Sequence, residues 1–301
     1  MATSASRTTQ SPTAAEAWHR ARSRRLGLPS LVATGILIVV SVAILFPLVY
    51  AVLGGFKTNG QLAANPGAIL PTDWVFSNYA DVLFGEYAPT FWRQALNSVI
   101  VAAVAVVLTV SLASGAAFVF ARMAFPGREA LYLLFVFGLL FPSAVAILPL
   151  YILVRELGLS ASLLGVALPQ AAFALPLTIV ILRPFFKNIP AELEDSARID
   201  GCGTFGFFWR ILLPLARPAL ATVSVLAIVG TWNAFFLPLV ILNGADQWTL
   251  PLGAMNFSSE YSSDKARVLA YTVVSIVPAI VFYAFAERQI VGGLTSGSVK
   301  G

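Results

Sequence analysis

Apolar residues are gathered into six long runs that polar stretches separate. The runs are residues 28–53, 96–121, 131–154, 163–182, 219–242 and 268–286. Each is long enough to cross about 30 Å of hydrocarbon as a helix, which takes about 20 residues. Because lipid offers no hydrogen bonds to the backbone, a spanning segment must satisfy its own polar groups. The pattern therefore predicts an all-α membrane protein with six transmembrane helices.

The composition agrees with a membrane protein. Hydrophobic residues make up 58% of the chain and charged residues 11%, whereas soluble domains carry about 25% charged residues. One cysteine and one histidine exclude a disulfide framework and a His/Cys metal cluster. The net charge is +5, but the basic residues flank the apolar runs rather than forming a stripe. We therefore expect membrane lipid as a partner and no nucleic acid.

The basic residues also predict an orientation. With the N-terminus inside, the internal segments hold fourteen of the 19 Lys and Arg residues and the external segments five. Positive charge stays on the cytoplasmic side, so both termini are expected there. The predicted domains are a disordered basic cytoplasmic tail (1–27), a six-helix domain (28–290) with a cytoplasmic loop at 188–218 between helices 4 and 5, and a C-terminal cytoplasmic tail (291–301).

The longest polar interruption in the second half of the chain, residues 190–218, has helix signals. Glu192 and Glu194 fall in a first turn, where negative charge complements the helix dipole. Glu194 and Arg198 are four residues apart, the spacing of an intrahelical ion pair. Gly201 is suited to end the helix in a left-handed conformation. A second limb then carries Phe205, Phe208 and Trp209 at helical spacing. On these grounds alone, the segment also fits an ordinary amphipathic helix on a membrane surface.

Motifs for catalysis are absent from the sequence. It contains no G-x-x-x-x-G-K-[ST], no H-E-x-x-H and no G-x-S-x-G. We therefore expect no enzyme activity and no cofactor in this chain. The six runs also lack Asp, Glu, Lys, Arg and His, although an ion-driven carrier usually needs an ionisable residue in the membrane. A sodium-coupled carrier stays open, since carbonyls and hydroxyls alone can hold sodium, and so does a scaffold without cargo.

Uncharged polar residues occur inside the runs. They include Asn97, Ser98, Gln170, Thr178, Ser224, Thr231, Asn233 and Ser275. Such groups by default bond neighbouring helices. Trp232 and Asn233, with Phe236 close behind, have a second interpretation, because an aromatic face beside an amide suits a sugar. A packed Trp beside an interhelical Asn is the alternative.

Four segments resemble ABC-importer permeases. D-S-A-R-I-D-G at 195–201, followed by I-L-L-P at 211–214, is similar to their cytoplasmic loop E-A-A-x-x-x-G … I-x-L-P. G-L-T-S-G-S-V-K-G at 293–301 resembles the C-terminus G-L-T-x-G-A-V-K-G of the carbohydrate permeases. F-K-T at 56–58, with its later W-x-x-x-N-Y, and W-N at 232–233 also match. The resemblance covers about residues 30–301.

This resemblance implies a maltose-type permease subunit in the bacterial cell membrane. Its expected partners are a second permease subunit in a heterodimer, a dimer of ATP-binding cassette subunits that binds ATP and Mg, and an extracytoplasmic sugar-binding protein. In the family the loop is a coupling helix that sits in the ATPase. Asp195 replaces the family's Glu and is one methylene shorter, so the salt bridge to the ATPase is assigned to Asp195 or Glu194.

Three groups of site residues follow from this reading. Coupling to the ATPase is assigned to Glu192, Glu194, Asp195, Ser196, Ala197, Asp200, Gly201 and Phe208. The substrate pathway is assigned to Trp232, Asn233, Phe236 and Asn97. Contacts of the C-terminal tail, expected in extended form between the ATPase subunits, are assigned to Leu294, Thr295, Gly297 and Lys300.

Overall fold

The computed structural model describes residues 28–258 and 263–296, with side chains for 32–258 and 263–284. In these ranges the regular structure is helical, and an isolated bridge between Ser258 and Ser263 is the nearest approach to a strand. Contacts within the chain divide it into two compact units, residues 1–50 and 51–301. The described part of the first unit is helical throughout, and the second contains a helical bundle.

The α-helices are, in chain order, α1 (Leu28–Gly54), α2 (Asn59–Ala64), α3 (Ser77–Leu83), α4 (Ala88–Arg122), α5 (Arg128–Gly138), α6 (Ile147–Glu156), α7 (Leu163–Asn188), α8 (Ala191–Ile199), α9 (Thr204–Phe207), α10 (Leu213–Leu215), α11 (Arg217–Trp232), α12 (Phe236–Ile241), α13 (Leu250–Gly253) and α14 (Lys265–Ser296). Two 3₁₀ turns (Ser143–Ala146 and Ala254–Phe257) and one π turn (Phe208–Leu212) complete the described regular structure.

Four of these helices are long and apolar enough to cross a membrane unaided: α1, α4, α7 and α14. Two further pairs of helices are bent at a short break. One pair is α5 and α6, with the 3₁₀ turn between them, and the other is α9–α10 and α11. The number of spans rises to six if each pair counts as one span. The prediction of an all-helical protein with several membrane-crossing segments is therefore confirmed.

The third and fifth apolar runs are not continuous helices, which corrects the straight spans expected there. The third run bends by 87° between α5 and α6. Pro142 lies in this break, and a proline has no N–H to continue a helix. In the fifth run α11 ends at Trp232, and the chain resumes helix only at Phe236. The axis also turns by 78° where α10 meets α11.

The sixth run is longer than expected. Its helix, α14, continues to Ser296, ten residues beyond the predicted end at Ala286. The helix thus includes residues 291–296, the first part of the predicted C-terminal tail 291–301. Each of the glycines at 292 and 293 destabilises a helix by only about 1 kcal/mol. A helix that already extends over many residues can continue through them.

The largest buried cluster lies where α4 and α7 end and the segment after α7 folds back on them. Phe118 of α4, Phe186 of α7, and Phe207 and Leu212 of the later segment are its large members. This cluster fixes residues 190–218 to the ends of two long helices. α4 also packs along α7, and α11 packs against α4 and α14.

At the other end of the bundle, α13 fits closely between α4 and α14. The Tyr271 hydroxyl of α14 donates to Oε1 of Gln94 on α4 at 2.6 Å. A Cβ at Gly253 would lie 1.9 Å from that hydroxyl and 2.2 Å from Oε1. Glycine is therefore required there, because any side chain would separate the two helices.

Candidate functional site

The helix predicted at the start of segment 190–218 is present as α8. Its first turn holds Glu192 and Glu194. The Glu194 carboxylate accepts a hydrogen bond from Arg198 at 2.7 Å, which confirms the predicted ion pair. Glu192 and its neighbour Asp195 are exposed.

Glu194 also faces inward, to Arg122 at the end of α4. The two side chains are 13% and 9% exposed, and Nη1 of Arg122 lies 3.9 Å from Oε2 of Glu194. Arg122 donates a further hydrogen bond to the carbonyl of Ile189, just before α8. These contacts hold α8 against α4. Asp195 makes no ion pair within the residues that the structure describes, so its carboxylate is available to a partner.

Gly201 ends α8 as the sequence predicts. Its φ is +78°, and its N–H bonds the carbonyl of Arg198 at 3.0 Å. The N–H of Cys202 bonds the carbonyl of Ala197 at 2.8 Å. This pair of bonds is a Schellman motif, which needs a left-handed residue at the position of Gly201. A Cβ there would meet no heavy atom of the chain within 4 Å, so the position is open on its outer side.

The aromatic limb after α8 presents different residues from those expected. Phe208, assigned to coupling, is only 8% exposed, and its ring packs 5.0 Å from that of Phe118. Phe205 and Trp209 are 75% and 54% exposed, and Ile199 at the end of α8 is exposed too. The π turn that starts at Phe208 shifts the following side chains around the axis relative to an α-helix.

The remaining residues assigned to coupling, in α8 and at its C-terminal end, differ in exposure. Ser196 and Asp200 are exposed, and Ala197 is buried under the helix. The exposed face of the segment therefore combines carboxylates with large apolar side chains. We call Asp195, Ile199, Phe205 and Trp209 the docking face. The sequence placed Phe205 and Trp209 on the aromatic limb but gave no sign of which aromatic residue points outward.

A cleft of about 530 Å³ lies among α6, α7, α11 and the break after α11. Asn233 and Phe236, two of the predicted pathway residues, line it. Trp232 instead lines a neighbouring cavity of about 250 Å³, to which Asn233 also contributes. The structure thus brings these three residues to two adjoining hollows.

Asn97 lies apart from the cleft. Its Nδ2 donates to the carbonyls of Asp246 at 2.9 Å and Trp248 at 3.0 Å. Both side-chain donors are used in holding the loop before α13. Its geometry is that of a structural anchor.

The other polar residues in the runs bond in ways that the sequence did not indicate. The hydroxyls of Thr178, Ser224 and Ser275 donate to the carbonyl four residues earlier in their own helices, not to neighbouring helices. Gln170 differs, because its Nε2 is buried without a hydrogen-bond partner in the described part of the chain. Its side chain borders the cleft. The sequence showed Gln170 as a polar residue in an apolar run, but not that it borders a cavity.

The assigned tail residues cannot be compared in the same way. Leu294 and Thr295 belong to the last turn of α14, with side chains outside the described set. Gly297 and Lys300 lie outside the described residues altogether. Their contacts stay predictions.

The apolar helices define a multi-pass membrane protein, and the cleft between them is large enough for a small molecule. Comparison with known families assigns it further. The chain belongs to the binding-protein-dependent transport system inner membrane components, whose shared domain matches residues 110–289.

Several characterised proteins are similar to the chain over most of its length. The diacetylchitobiose uptake system permease protein NgcG of Streptomyces coelicolor is 35% identical over 271 residues, 88% of this chain and 87% of that protein. The arabinooligosaccharides transport system permease protein AraQ of Halalkalibacterium halodurans is 34% identical over 258 residues, 85% of this chain and 91% of that protein. The chain is therefore an inner-membrane permease of the ABC transporter class.

A solved structure has the same fold. It is a chain in the crystal structure of a bacterial ABC transporter involved in the import of the acidic polysaccharide alginate. The TM-score is 0.73, at 23% sequence identity, with 93% of this chain and 99% of that chain covered.

Proposed function

We propose that this chain is the permease subunit of an ATP-driven sugar importer and forms half of the translocation pore. The relatives named above are permeases for diacetylchitobiose and for arabinooligosaccharides, which supports an oligosaccharide as cargo. The cleft has the lining that such cargo needs: aromatic rings for the C–H faces of a sugar and amides for its hydroxyls.

The observation that carries the proposal is the docking face. A contiguous exposed apolar patch usually marks an interaction site. Here Phe205 and Trp209, whose rings pack together, and Ile199 are exposed in the segment that also carries the exposed Asp195. The sequence has no phosphate-binding loop, so ATP and Mg bind to a separate ATPase subunit that docks on this face. Asp195 makes the salt bridge to that subunit, because Glu194 is already paired with Arg122 and Arg198.

The proposed topology follows the distribution of basic residues. The docking face and both termini lie in the cytoplasm, since fourteen of the 19 Lys and Arg residues then lie inside. The opposite side receives an extracytoplasmic sugar-binding protein. A second permease subunit completes the pore, because one chain supplies only one wall of a pathway.

The chain's own part in transport is mechanical. Closure of the ATPase dimer displaces the docking face, and the cluster around Phe118, Phe186 and Phe207 passes that movement to α4 and α7. Arg122 links α8 to α4 through Ile189 and Glu194. Because α7 also lines the cleft, movement at its cytoplasmic end changes the shape of the sugar pathway.

Assembly and topology test the proposal together. The tagged chain, co-expressed with the products of neighbouring transport genes, should retrieve an ATPase and a second permease from detergent extracts.

In a Cys202→Ser background, Thr72→Cys should react with a membrane-impermeant maleimide in intact cells, and Ser196→Cys only after lysis. A chain purified alone that takes up sugar on a sodium gradient, or labelling of Ser196→Cys from outside, would overturn the proposal.

A further inference from the structure

We propose that Gln170 and Asn233 form a pair of amides that binds the hydroxyls of a neutral sugar in the cleft. The inference rests on the proposed function, and it specifies the ligand class and two contact residues. Two features of the cleft support it: hydrogen-bonding groups that the chain leaves free, and a lining without charge.

Gln170 supplies the first free group. It lies in α7 and borders the cleft, and its Nε2 has less than 1 Å² of exposed surface with no partner among the described residues. Leaving a buried amide unsatisfied in this way lowers the stability of the folded chain. The hydroxyls of Thr178, Ser224 and Ser275 avoid this cost by donating to carbonyls of the chain. Turning the side chain toward the cleft would let Nε2 donate to a ligand hydroxyl and remove the penalty.

Asn233 supplies the second group. It lies where the fifth run leaves helix, and its backbone N–H still bonds the carbonyl of Val229 at 3.2 Å. Its side chain is exposed and makes no hydrogen bond within the described residues. The break after α11 therefore directs an unused amide to the same cleft that Gln170 borders from α7. Together the two amides offer donors and acceptors from α7 and from the break after α11.

The rest of the lining selects the kind of ligand. Phe173, Phe235 and Phe236 supply aromatic surface for the C–H faces of a sugar ring. None of the described residues that line the cleft is Asp, Glu, Lys, Arg or His. A carboxylate on an acidic sugar would lose hydration against this wall without gaining a cation from it, which is costly in an apolar site. An acyl chain would leave both amides unsatisfied. A neutral, hydroxyl-rich ligand fits both constraints.

The volume agrees with a sugar. Small-molecule sites enclose about 300–1,000 Å³, and the cleft measures about 530 Å³. This is room for one or two sugar rings at a time.

The test compares two nearly isosteric substitutions on the assembled importer in proteoliposomes. Gln170→Leu removes the free amide, and Thr109→Val removes a buried hydroxyl that donates from α4 to the carbonyl of Ala171 at 3.3 Å. Gln170→Leu should reduce ATP-dependent uptake of labelled diacetylchitobiose or arabinotriose at limiting concentration about tenfold, because one or two ligand hydrogen bonds are lost. Its thermal midpoint should equal or exceed that of the unaltered complex. Thr109→Val should lower the midpoint and leave uptake per assembled complex within twofold.

The opposite result overturns the inference. If Gln170→Leu lowers the thermal midpoint, the amide holds the structure together, and if uptake is unchanged, it does not contact sugar. Either result leaves the proposed function standing as long as the unaltered complex imports sugar with ATP. Failure of that unaltered complex contradicts the proposed function itself.

A second variant tests the ligand class without depending on turnover. In the Cys202→Ser background, Gln170→Cys is labelled with a small maleimide in the assembled complex. Millimolar diacetylchitobiose or arabinotriose should slow labelling at least threefold, and an alginate oligosaccharide of similar size should not. Equal protection by the acidic oligosaccharide overturns the neutral-ligand assignment, and no protection by any of the three overturns the site.

Discussion

Two neighbouring acids on α8 have opposite surroundings. Glu194 lies against Arg122 and Arg198, mostly shielded from water, whereas Asp195 is exposed. A buried carboxylate that loses its role as an acceptor leaves cations unpaired, and this is costly. An exposed carboxylate costs little to remove unless a partner binds it. We therefore propose separable roles: Glu194 holds the segment through its ion pairs, and Asp195 is the acid that an ATPase partner would contact.

Substitutions at the two acids should have opposite effects. Glu194→Gln should lower the thermal midpoint of the purified chain, because it leaves the Arg122 guanidinium without its counter-charge. Asp195→Asn should leave that midpoint unchanged and weaken capture of the ATPase severalfold in a pull-down at fixed salt. Equal capture by Asp195→Asn and the unaltered chain would show that the salt bridge is made elsewhere.

A substitution at Gly201, which ends α8, tests whether the outer side of this turn contacts a partner. An L-residue in the left-handed region costs about 1–2 kcal/mol, and Asp is among the side chains that tolerate it best. Because a Cβ there meets nothing within 4 Å, Gly201→Asp should insert and fold. It should nevertheless abolish transport, since the new side chain points to the partner. Gly203→Ala is the control, because Gly203 has ordinary φ and equally open surroundings. Normal uptake by Gly201→Asp would contradict the docking of this turn.

At the scale of elements, segment 190–218 depends on a local change of helix type. Spacing alone predicted that Phe205, Phe208 and Trp209 follow one helical limb, but spacing did not distinguish their environments. The π turn from Phe208 to Leu212 seats Phe208 against Phe118 and leaves Trp209 outward. No residue in that stretch marks a π turn in the sequence. This is why the existence of the segment was predictable and its exposed face was not.

The aromatic residues of this segment should divide into two classes. Phe205→Ala and Trp209→Ala should keep the thermal midpoint of the chain and weaken ATPase capture, because their rings are exposed. Phe208→Ala should destabilise the chain by about 3–5 kcal/mol, the usual cost of emptying an aromatic site in a core. Pull-down and thermal unfolding of the three variants separate the classes. Destabilisation by Phe205→Ala or Trp209→Ala would contradict the docking face.

The bends in the third and fifth apolar runs could not be predicted from the sequence either. Hydropathy predicted the number and place of the apolar segments, since that depends on composition alone. It did not detect the bends, because residues 139–142 and 233–235 remain largely apolar while they leave helix. Pro142 was a signal in the first case. In the second, no Pro or Gly lies at the break, so Asn233 was predicted to lie in mid-helix.

For the whole molecule, the structure gives a continuous path of contacts from the docking face to the cleft. Segment 190–218 packs on the ends of α4 and α7, and α7 and α11 line the cleft that holds Gln170 and Asn233. The sequence supplied the family and the loop, but the path required the packing. One helix, α7, which contains prolines at 169, 176 and 184, thus joins the two regions to which coupling and sugar binding are assigned.

The most direct test of the account is uptake by the complete importer in proteoliposomes. The permease pair and the ATPase are reconstituted with ATP inside the vesicles, and the sugar-binding protein and labelled neutral oligosaccharide are added outside. The account predicts accumulation that requires ATP, is indifferent to a sodium gradient, and falls to background when Asp195, Phe205 and Trp209 are replaced together in a complex that still inserts. Uptake that persists without ATP, or that the triple replacement leaves at the unaltered rate, would contradict it.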